Sequence, residues 1–349
     1  MLYILCILSV SLLSYFADKK ENKFLLFLIA LILSLFCGLR GQGTGVDTVN
    51  YFKLLSYIDD VGISAGSDIG FAVITYFMMM YLGSPYYLLV IFAFITNFLI
   101  IYRLWDFRER SSFTVMLFIY MTIHYAYTFN IVRQFLAISI IFWGTRYLER
   151  SEHIKYIFLN IIASTIHTTS LLGFMLLLIF DSDNRQTKKH FFYIALVAFF
   201  IIVGVCFFSE NIIKYEGYLT QTNDSIYGMT VLKVICLLLV IISNNIFSND
   251  RFSITKSGKY FHMPKYIPVT YAAGLILAAL GMKYAFVNRI GFYFLMFEMP
   301  FWGQAIRARI NAGTYKCIIF FIVGYVLISM YVSGESADSL FNYHTFLSE

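Results

Sequence analysis

The sequence predicts an all-α protein that folds as a polytopic transmembrane helical bundle. Hydrophobic residues make up 60% of the 349 positions and charged residues only 13%, about half the share of an ordinary soluble domain. The mean hydropathy is +0.74. The apolar runs are continuous, unlike the alternating strands of a membrane β-barrel. We therefore expect about 11–13 membrane segments, some of them re-entrant or broken.

The predicted segments follow the apolar runs, which are separated by polar connections. These runs lie at residues 2–16, 24–39, 69–82, 86–102, 112–128, 131–145, 156–180, 190–208, 226–247, 266–282, 290–306 and 315–333. The first run lacks a basic leader and a small-residue cleavage site, so we expect a retained helix rather than a signal peptide. The sequence shows no internal repeat, and residues 1–349 are predicted to form a single integral membrane domain.

Basic residues mark the predicted cytoplasmic side. Most of the 26 Lys and Arg residues cluster in connections such as those at 19–23, 103–110 and 307–316. The positive-inside rule places these clusters in the cytoplasm and both termini outside. The long outer loops are then about 40–68 and 209–225, and the main cytoplasmic loop is about 247–265. Because the basic residues are dispersed, the net charge of +6 predicts no nucleic-acid partner.

Two stretches do not fit a simple alternation of full crossings. If both runs flanking Gly83-Ser84-Pro85 crossed fully, the basic cluster at 103–110 would lie outside, so one run is predicted to be re-entrant, interfacial or broken. Residues 156–180 have basic connections at both ends. Two half-helices meeting near His167 would keep both connections inside, and such a break requires a protein-lined cavity. The pattern predicts that this break opens outward.

A few charged side chains stand apart from the cytoplasmic clusters. Arg40, Arg133 and Arg289 fall at predicted outer helix ends, and His167 falls at the predicted break. The planar guanidinium group binds two oxygens and keeps its charge, which suits a diphosphate. Each residue also has a structural alternative, because a single Arg often anchors a helix end and a lone His often packs in the core. Their shared face favours a functional site.

The outer segment 40–68 is rich in Gly, Asp and Tyr. Its glycine-rich start would let the backbone approach a ligand closely, but no Walker phosphate-binding loop is present. Asp47 is a candidate general base or a partner of Arg40, and a helix cap is its structural alternative. Further along, Asn130 is a candidate N-cap with Arg133 in the first helical turn, and Arg289 is predicted to open a helix that closes at Met299-Pro300.

These motifs resemble the EpsG/Wzy group of polysaccharide polymerases. The resembling pieces are Gly38-Leu39-Arg40, Gly43-Thr44-Gly45-Val46-Asp47 with Asn50-Tyr51, Asp68-Ile69-Gly70-Phe71, Asn130-Ile131-Val132-Arg133-Gln134, Ile166-His167-Thr168-Thr169-Ser170 and Asn288-Arg289-Ile290 through Phe294 to Pro300. They occur in the family's order over residues 38–300. Two departures are present, since the first Gly-Thr-Asp motif carries two extra residues and Asp68 stands where the family usually has Glu.

The resemblance implies a GT-C-type glycosyltransferase of the bacterial inner membrane that makes O-antigen or exopolysaccharide. Such a polymerase transfers a growing glycan from undecaprenyl diphosphate to an undecaprenyl-diphosphate-linked repeat unit. The reaction takes place on the periplasmic face and needs neither a cofactor nor a metal. The implied partners are these lipid-linked oligosaccharides and membrane lipids, and a chain-length regulator is a candidate protein partner.

Each candidate site residue then has an expected role. Arg40, Arg133 and Arg289 are predicted to bind the diphosphate. Either His167 or Asp47 would accept the proton of the acceptor hydroxyl, and histidine is favoured because imidazoles titrate near neutral pH. The side chains predicted to contact substrate are those of Asn50, Tyr51, Asn130, Gln134 and Tyr293.

Three other classes of protein stay open as alternatives. An O-antigen ligase shares the donor and the charge pattern but uses a different acceptor. A lipid-linked oligosaccharide flippase or other transporter would show repeats and polar residues through both halves of the membrane, which this sequence does not. A membrane O-acyltransferase can use an intramembrane His, but three outward Arg residues suit a diphosphate better than a neutral acyl donor.

Overall fold

The described part of the chain is helical apart from one short strand pair. The computed structural model describes residues 2–41, 43–45, 48–56, 68–181, 253–254, 260–261, 263–281 and 285–307, with the single residues 235, 324, 343 and 345. The loop predicted at 209–225, most of that at 247–265 and the apolar runs at 190–208, 226–247 and 315–333 lie outside these residues.

The helices follow the predicted apolar runs closely. In chain order they are α1 (Leu2–Lys20), α2 (Lys23–Gly38), α3 (Thr48–Ser56), α4 (Ile69–Leu82), α5 (Pro85–Asp106), α6 (Phe113–Ile119), a π-helix (Tyr120–His124), α7 (Tyr127–Asn130), α8 (Val132–Glu149), α9 (His153–Ile166), a 3₁₀ helix (Thr168–Phe174), α10 (Met175–Asp181), α11 (Tyr266–Leu280), α12 (Ala285–Leu295) and α13 (Glu298–Arg307). Strands β1 (Ser253–Ile254) and β2 (Tyr260–Phe261) pair antiparallel.

Two of the described helices are long and apolar enough to cross a membrane, at Leu2–Lys20 and Tyr86–Asp106. Other described helices are apolar but shorter. They are Lys23–Gly38, Ile69–Leu82, Phe113–His124, His153–Ile166, Thr168–Phe180 and Tyr266–Leu280. The helical fold class is therefore confirmed for the described residues, while the full number of crossings stays a prediction.

The core of the bundle forms around α5 and α8. Helix α5 packs against α2 on one side and α8 on the other, and α8 packs in turn against α9. Helix α1 covers α2 and α6, while α11 and α12 form a second packed pair. Aromatic side chains fill these contacts, as where the Phe71 and Phe92 rings lie 5.5 Å apart. This packing brings the ends of several distant segments together at one end of the bundle.

The helix predicted to break near His167 does break there. Helix α9 ends at Ile166, and His167 is extended with φ −153° and ψ 115° before the 3₁₀ helix begins. Side-chain hydroxyls contact the backbone on both sides of the break. The Ser170 hydroxyl donates to the Ala163 carbonyl at 2.8 Å, and the Tyr156 hydroxyl donates to the Gly173 carbonyl at 2.6 Å. The prediction is confirmed, and side-chain hydroxyls stabilise the broken segment.

Two predictions about helix ends are wrong. Asn130 is the last residue of α7, and Ile131 occupies the N-cap of α8 with φ −100° and ψ 55° and no side-chain cap. Arg289 lies inside α12 rather than opening a helix that runs to Pro300. A separate helix, α13, begins at Glu298. Pro300 falls in its first turn, where a missing backbone N–H costs little.

The far end of α5 and α8 carries an ion network around one buried arginine. Arg103 is fully buried and pairs with Glu149 and, at 3.3 Å, with Asp106. Its Nε also donates to the Thr145 hydroxyl at 3.0 Å. The Tyr266 hydroxyl donates to Glu149 at 2.5 Å and so ties α11 to the same cluster. Because these groups satisfy one another, we assign this end of the bundle a structural role.

A close contact between α4 and α9 fixes the residues that flank the break. A Cβ atom placed on Gly70 would lie 2.8 Å from the Thr165 carbonyl oxygen, closer than real Cβ atoms approach. We therefore expect Gly70→Ala to force the two helices apart and to destabilise the fold by about 1–3 kcal/mol.

Thermal unfolding of the detergent-solubilised protein measures this effect. Gly43→Ala is the matched control, since a Cβ there meets no atom of the described residues within 4 Å. Equal melting temperatures for the two variants would contradict the close packing of α4 on α9.

Candidate functional site

The Asp68 carboxylate joins the start of α4 to the break after α9. Its Oδ2 atom lies 3.2 Å from His167 Nδ1. Its Oδ1 atom accepts the Thr168 backbone N–H at 3.0 Å and also accepts the Thr168 hydroxyl. One carboxylate thus holds the imidazole and caps the first turn of the 3₁₀ helix, so the orientation of His167 is fixed by a residue far away in sequence.

Arg133 lies beside this pair and supplies positive charge. Its Nη1 atom is 3.8 Å from Asp68 Oδ2, and 33% of its side chain is exposed. The guanidinium group sits over the Phe71 ring, with its central carbon 5.2 Å from the ring centroid. The aromatic face and the carboxylate fix the position of the guanidinium, while its exposed part stays accessible to an anionic ligand.

The electrostatics of the cluster favour a charged carboxylate. Burial alone would raise the pKa of Asp68, but hydrogen bonds from His167 and Thr168, the positive charge of a protonated His167 and the charge of Arg133 together outweigh it. The pKa of Asp68 therefore lies below its ordinary value, and the group stays ionised at neutral pH. An ionised carboxylate accepts a hydrogen bond from Nδ1–H of His167, which leaves Nε2 as the nitrogen that can accept a proton.

The imidazole of His167 has a suitable geometry for a general base. One ring nitrogen faces Asp68, and among the described residues the other has no hydrogen-bond partner. The side chain is 20% exposed, so a hydroxyl group could reach Nε2. A carboxylate behind the imidazole also stabilises the imidazolium ion that forms when the ring takes up a proton.

Arg40 lies just after the end of α2, and its guanidinium group is fully buried. Its Nε donates to the Thr48 hydroxyl at 2.9 Å, its Nη1 to the Cys37 carbonyl at 2.6 Å and its Nη2 to the Phe129 carbonyl at 3.0 Å. Every nitrogen of the group thus already donates to the protein. These bonds join α2, α3 and α7, so we interpret Arg40 as a support for the segment that leads to Arg133.

Arg289 is brought to the same region through its backbone. The side-chain amide of Gln134, next to Arg133 in the chain, donates to the Arg289 carbonyl at 2.8 Å. One turn further along α12, the Tyr293 hydroxyl lies 2.9 Å from the Thr169 hydroxyl. Gln134 and Tyr293 are both buried, so the structure gives these two predicted substrate contacts a part in joining α8, α12 and the 3₁₀ helix.

The remaining predicted substrate residues have varied positions. Tyr51 is buried on α3, and its hydroxyl lies 3.5 Å from the Arg133 backbone N–H. Asn50 is exposed beside it, and Asn130 is half-buried at the end of α7. Asp47, the alternative general base, lies outside the described residues. The predicted roles of these side chains stay predictions.

Sequence reasoning did not assign Asp68 a role, although it belongs to one of the quoted motifs. Its partners His167 and Thr168 lie about a hundred residues further along the chain, so local spacing gives no sign of the contact. The predicted break at His167 is the only signal in the sequence that points to such a contact. A helix that starts after a break has free backbone N–H groups, and these need an acceptor such as a carboxylate.

No cluster of three or more His, Cys, Asp or Glu side chains that could hold a metal ion occurs in the described ranges. The charged groups that the described contacts bring together here are one carboxylate, one imidazole and one guanidinium group, those of Asp68, His167 and Arg133. Such a set can bind an oxyanion and move a proton.

The apolar helices, two of them long enough to cross a membrane, indicate a helical membrane protein. A comparison with protein-family models matches residues 2–345 to the EpsG family, and the chain belongs to that family. Family membership indicates a polysaccharide polymerase-type function, and with it glycosyltransferase-like chemistry. No match was found among curated proteins or among solved structures.

The buried contacts of Arg40 generate a stability prediction. Arg40→Met should leave the Cys37 and Phe129 carbonyls without a donor, at about 1–3 kcal/mol for each orphaned group. We expect a clear fall in the melting temperature of the purified protein. Arg133→Met is the matched control, and it should unfold near the parent temperature because its guanidinium is partly exposed. An unchanged melting temperature for Arg40→Met would argue against the supporting role.

Proposed function

We propose that this protein is a lipid-linked oligosaccharide polymerase. It transfers a growing glycan from undecaprenyl diphosphate to the sugar of a second undecaprenyl-diphosphate-linked repeat unit. The contact between Asp68 and His167 beside Arg133 carries this proposal, because it combines a base with an anion-binding group. EpsG-family membership supports the same chemistry.

In this proposal the described helices belong to a polytopic bundle in the bacterial inner membrane. The site end of the bundle faces the periplasm, and the Arg103–Glu149 end faces the cytoplasm. The distribution of Lys and Arg supports this orientation through the positive-inside rule. The many exposed apolar side chains on α1, α4 and α9 support contact with lipid. The polyprenyl tails of both substrates would reach the site by lateral diffusion.

The diphosphate of the donor would bind Arg133 together with Arg289. The exposed part of the Arg133 guanidinium can donate two parallel hydrogen bonds to phosphate oxygens. The link from Gln134 to the Arg289 carbonyl keeps the backbones of the two arginine residues close together. Both positive charges would stabilise the diphosphate as it leaves. Arg40 contributes by supporting this arrangement rather than by contacting the ligand.

The proton of the acceptor hydroxyl would pass to Nε2 of His167. The hydroxyl oxygen attacks the anomeric carbon of the donor, and the bond from that carbon to the diphosphate oxygen breaks. Undecaprenyl diphosphate leaves with the electron pair, and Asp68 stabilises the imidazolium ion formed on the other side. None of these steps requires a nucleotide sugar or a metal ion.

The glycan profile of a strain lacking this gene tests the proposal. A polymer ladder that collapses to one repeat unit on its carrier is the expected result. Loss of glycan attachment with an intact ladder on the carrier would indicate a ligase instead. Accumulation of repeat units on the cytoplasmic face would indicate a flippase.

The diphosphate role predicts that Arg133→Lys loses most polymerase activity although the charge is kept. A lysine ammonium group is a point donor and cannot reproduce the two parallel bonds of a guanidinium. We expect a loss of about 10²-fold, comparable to removing one oxyanion-stabilising donor, measured as polymer formed at equal expression. Arg150→Lys at the exposed opposite end of α8 is the control. Similar activities for the two variants would remove Arg133 from the site.

The proposed base predicts a specific defect for Asp68→Asn. The asparagine Oδ1 can still accept the Thr168 N–H, but its amide group would donate to Nδ1 of His167. The imidazole would then carry its proton on Nε2, and that nitrogen could no longer accept the proton of the acceptor hydroxyl. We expect a loss of about 10²–10⁴-fold in rate, with a melting temperature near that of the parent.

Asp106→Asn provides a matched control for this substitution. It makes the same chemical change in an ion pair at the far end of the bundle, and polymer formation should stay near the parent level. If Asp68→Asn polymerises as well as this control, His167 is not the general base in the orientation that Asp68 holds.

A further inference from the structure

A second pair of titratable side chains lies buried deep in the bundle. His124 closes the π-helix and Glu298 opens α13, and each side chain is only 1% exposed. His124 Nε2 lies 3.1 Å from Glu298 Oε2. The other carboxylate oxygen accepts the Tyr271 hydroxyl at 2.9 Å, and the Trp302 indole N–H donates to that hydroxyl at 3.3 Å. This cluster is separate from the Asp68–His167 site.

Such a pair is expensive in an apolar interior. An unpaired charge buried among hydrocarbon side chains is strongly destabilising. Glu298 and His124 carry no net charge if they hold one proton between them, and Tyr271 completes the bonds of the carboxylate. Nδ1 of His124 still has no hydrogen-bond partner in the described part of the chain. The cost suggests a role beyond filling space.

The position of the pair along the chain indicates that role. His124 precedes Arg133 by nine residues, and Glu298 follows Arg289 by nine residues. The pair therefore connects, at depth, the same two segments that carry the two proposed diphosphate ligands. Near the arginines these segments are joined again by the bond from Gln134 to the Arg289 carbonyl.

Apolar packing fills the space between the two polar contacts. The Tyr127 ring lies 4.5 Å from the Phe292 ring, measured between centroids, and the Phe135 ring lies 5.9 Å from the same ring. Ring contacts alone would allow the segments to slide, because dispersion is not directional. Hydrogen bonds at both ends would prevent sliding, since each fixes a donor and an acceptor at a set distance.

We propose that the His124–Glu298 pair sets the spacing between Arg133 and Arg289. In this role both are positioning residues, since neither lies within the described contacts of the Asp68–His167 site. This inference rests on the proposed function, because a fixed separation matters only if the two arginines bind the same diphosphate. A misplacement of about 1 Å can cost on the order of 10²-fold in rate.

A distance measurement tests the spacing without reference to activity. Ile131 and Val287, which flank the two arginines, are each replaced by p-acetylphenylalanine and coupled to a nitroxide label. Double electron–electron resonance on the full-length protein in lipid nanodiscs then gives the distance distribution. We expect a single narrow distance in the parent, and a broadened or longer distance when Glu298→Ala is added.

Glu149→Ala is the matched control for Glu298→Ala. It also removes a carboxylate, one that pairs with the buried Arg103, but that ion pair lies at the far end of the bundle and joins neither arginine segment to the other. The label distance should stay narrow in this variant. An unchanged distribution in Glu298→Ala, or equal broadening in both variants, would overturn the proposal.

Kinetics with a lipid-linked donor separate this inference from the proposed function. Glu298→Ala should lower kcat/KM for the donor by about 10²-fold, and Glu149→Ala should leave it near the parent value. If the label distance changes in Glu298→Ala while the parent protein forms no polymer, the spacing role stands and the proposed function fails. If the parent polymerises and the distance is unchanged, the spacing role fails alone.

Discussion

The contact between Asp68 and His167 is the interaction on which the candidate site depends. The helix break at His167 frees backbone groups that need partners, and the Asp68 carboxylate accepts the first of them from Thr168. The same carboxylate orients the imidazole and lies near the Arg133 guanidinium. The carboxylate that caps the helix after the break therefore also holds the His167 imidazole, which the proposed chemistry needs.

Among the charged side chains of this protein, two kinds differ in how many of their hydrogen-bonding atoms already have a partner within the protein. Arg40 and Arg103 are fully buried, and their nitrogens donate to nearby protein acceptors. Arg133 and His167 are partly exposed, and each keeps some hydrogen-bonding capacity for a ligand. The residues that support the fold have hydrogen-bond partners within the protein, whereas those that can act on a substrate keep atoms available for it. This difference separates the two kinds better than charge does.

Much of the fold could be predicted from the sequence, because apolar runs and interrupted runs are local signals. The helical class and the break at His167 follow from such signals, as does the position of Arg133 in the first turn of α8. Contacts between distant segments could not be predicted in this way. The Asp68–His167 contact, the burial of Arg40 and the His124–Glu298 pair all depend on how the helices pack, and the ends of α7 and α12 depend on short breaks that propensity does not mark.

Reconstitution with a defined substrate tests the central claim most directly. The purified protein in nanodiscs is supplied with a synthetic undecaprenyl-diphosphate-linked repeat unit and a metal chelator, and the products are measured by mass spectrometry. We expect a carrier that bears two repeat units, formed together with an equal amount of free undecaprenyl diphosphate. Release of undecaprenyl diphosphate without a longer glycan, or no reaction until a metal ion is restored, would contradict it.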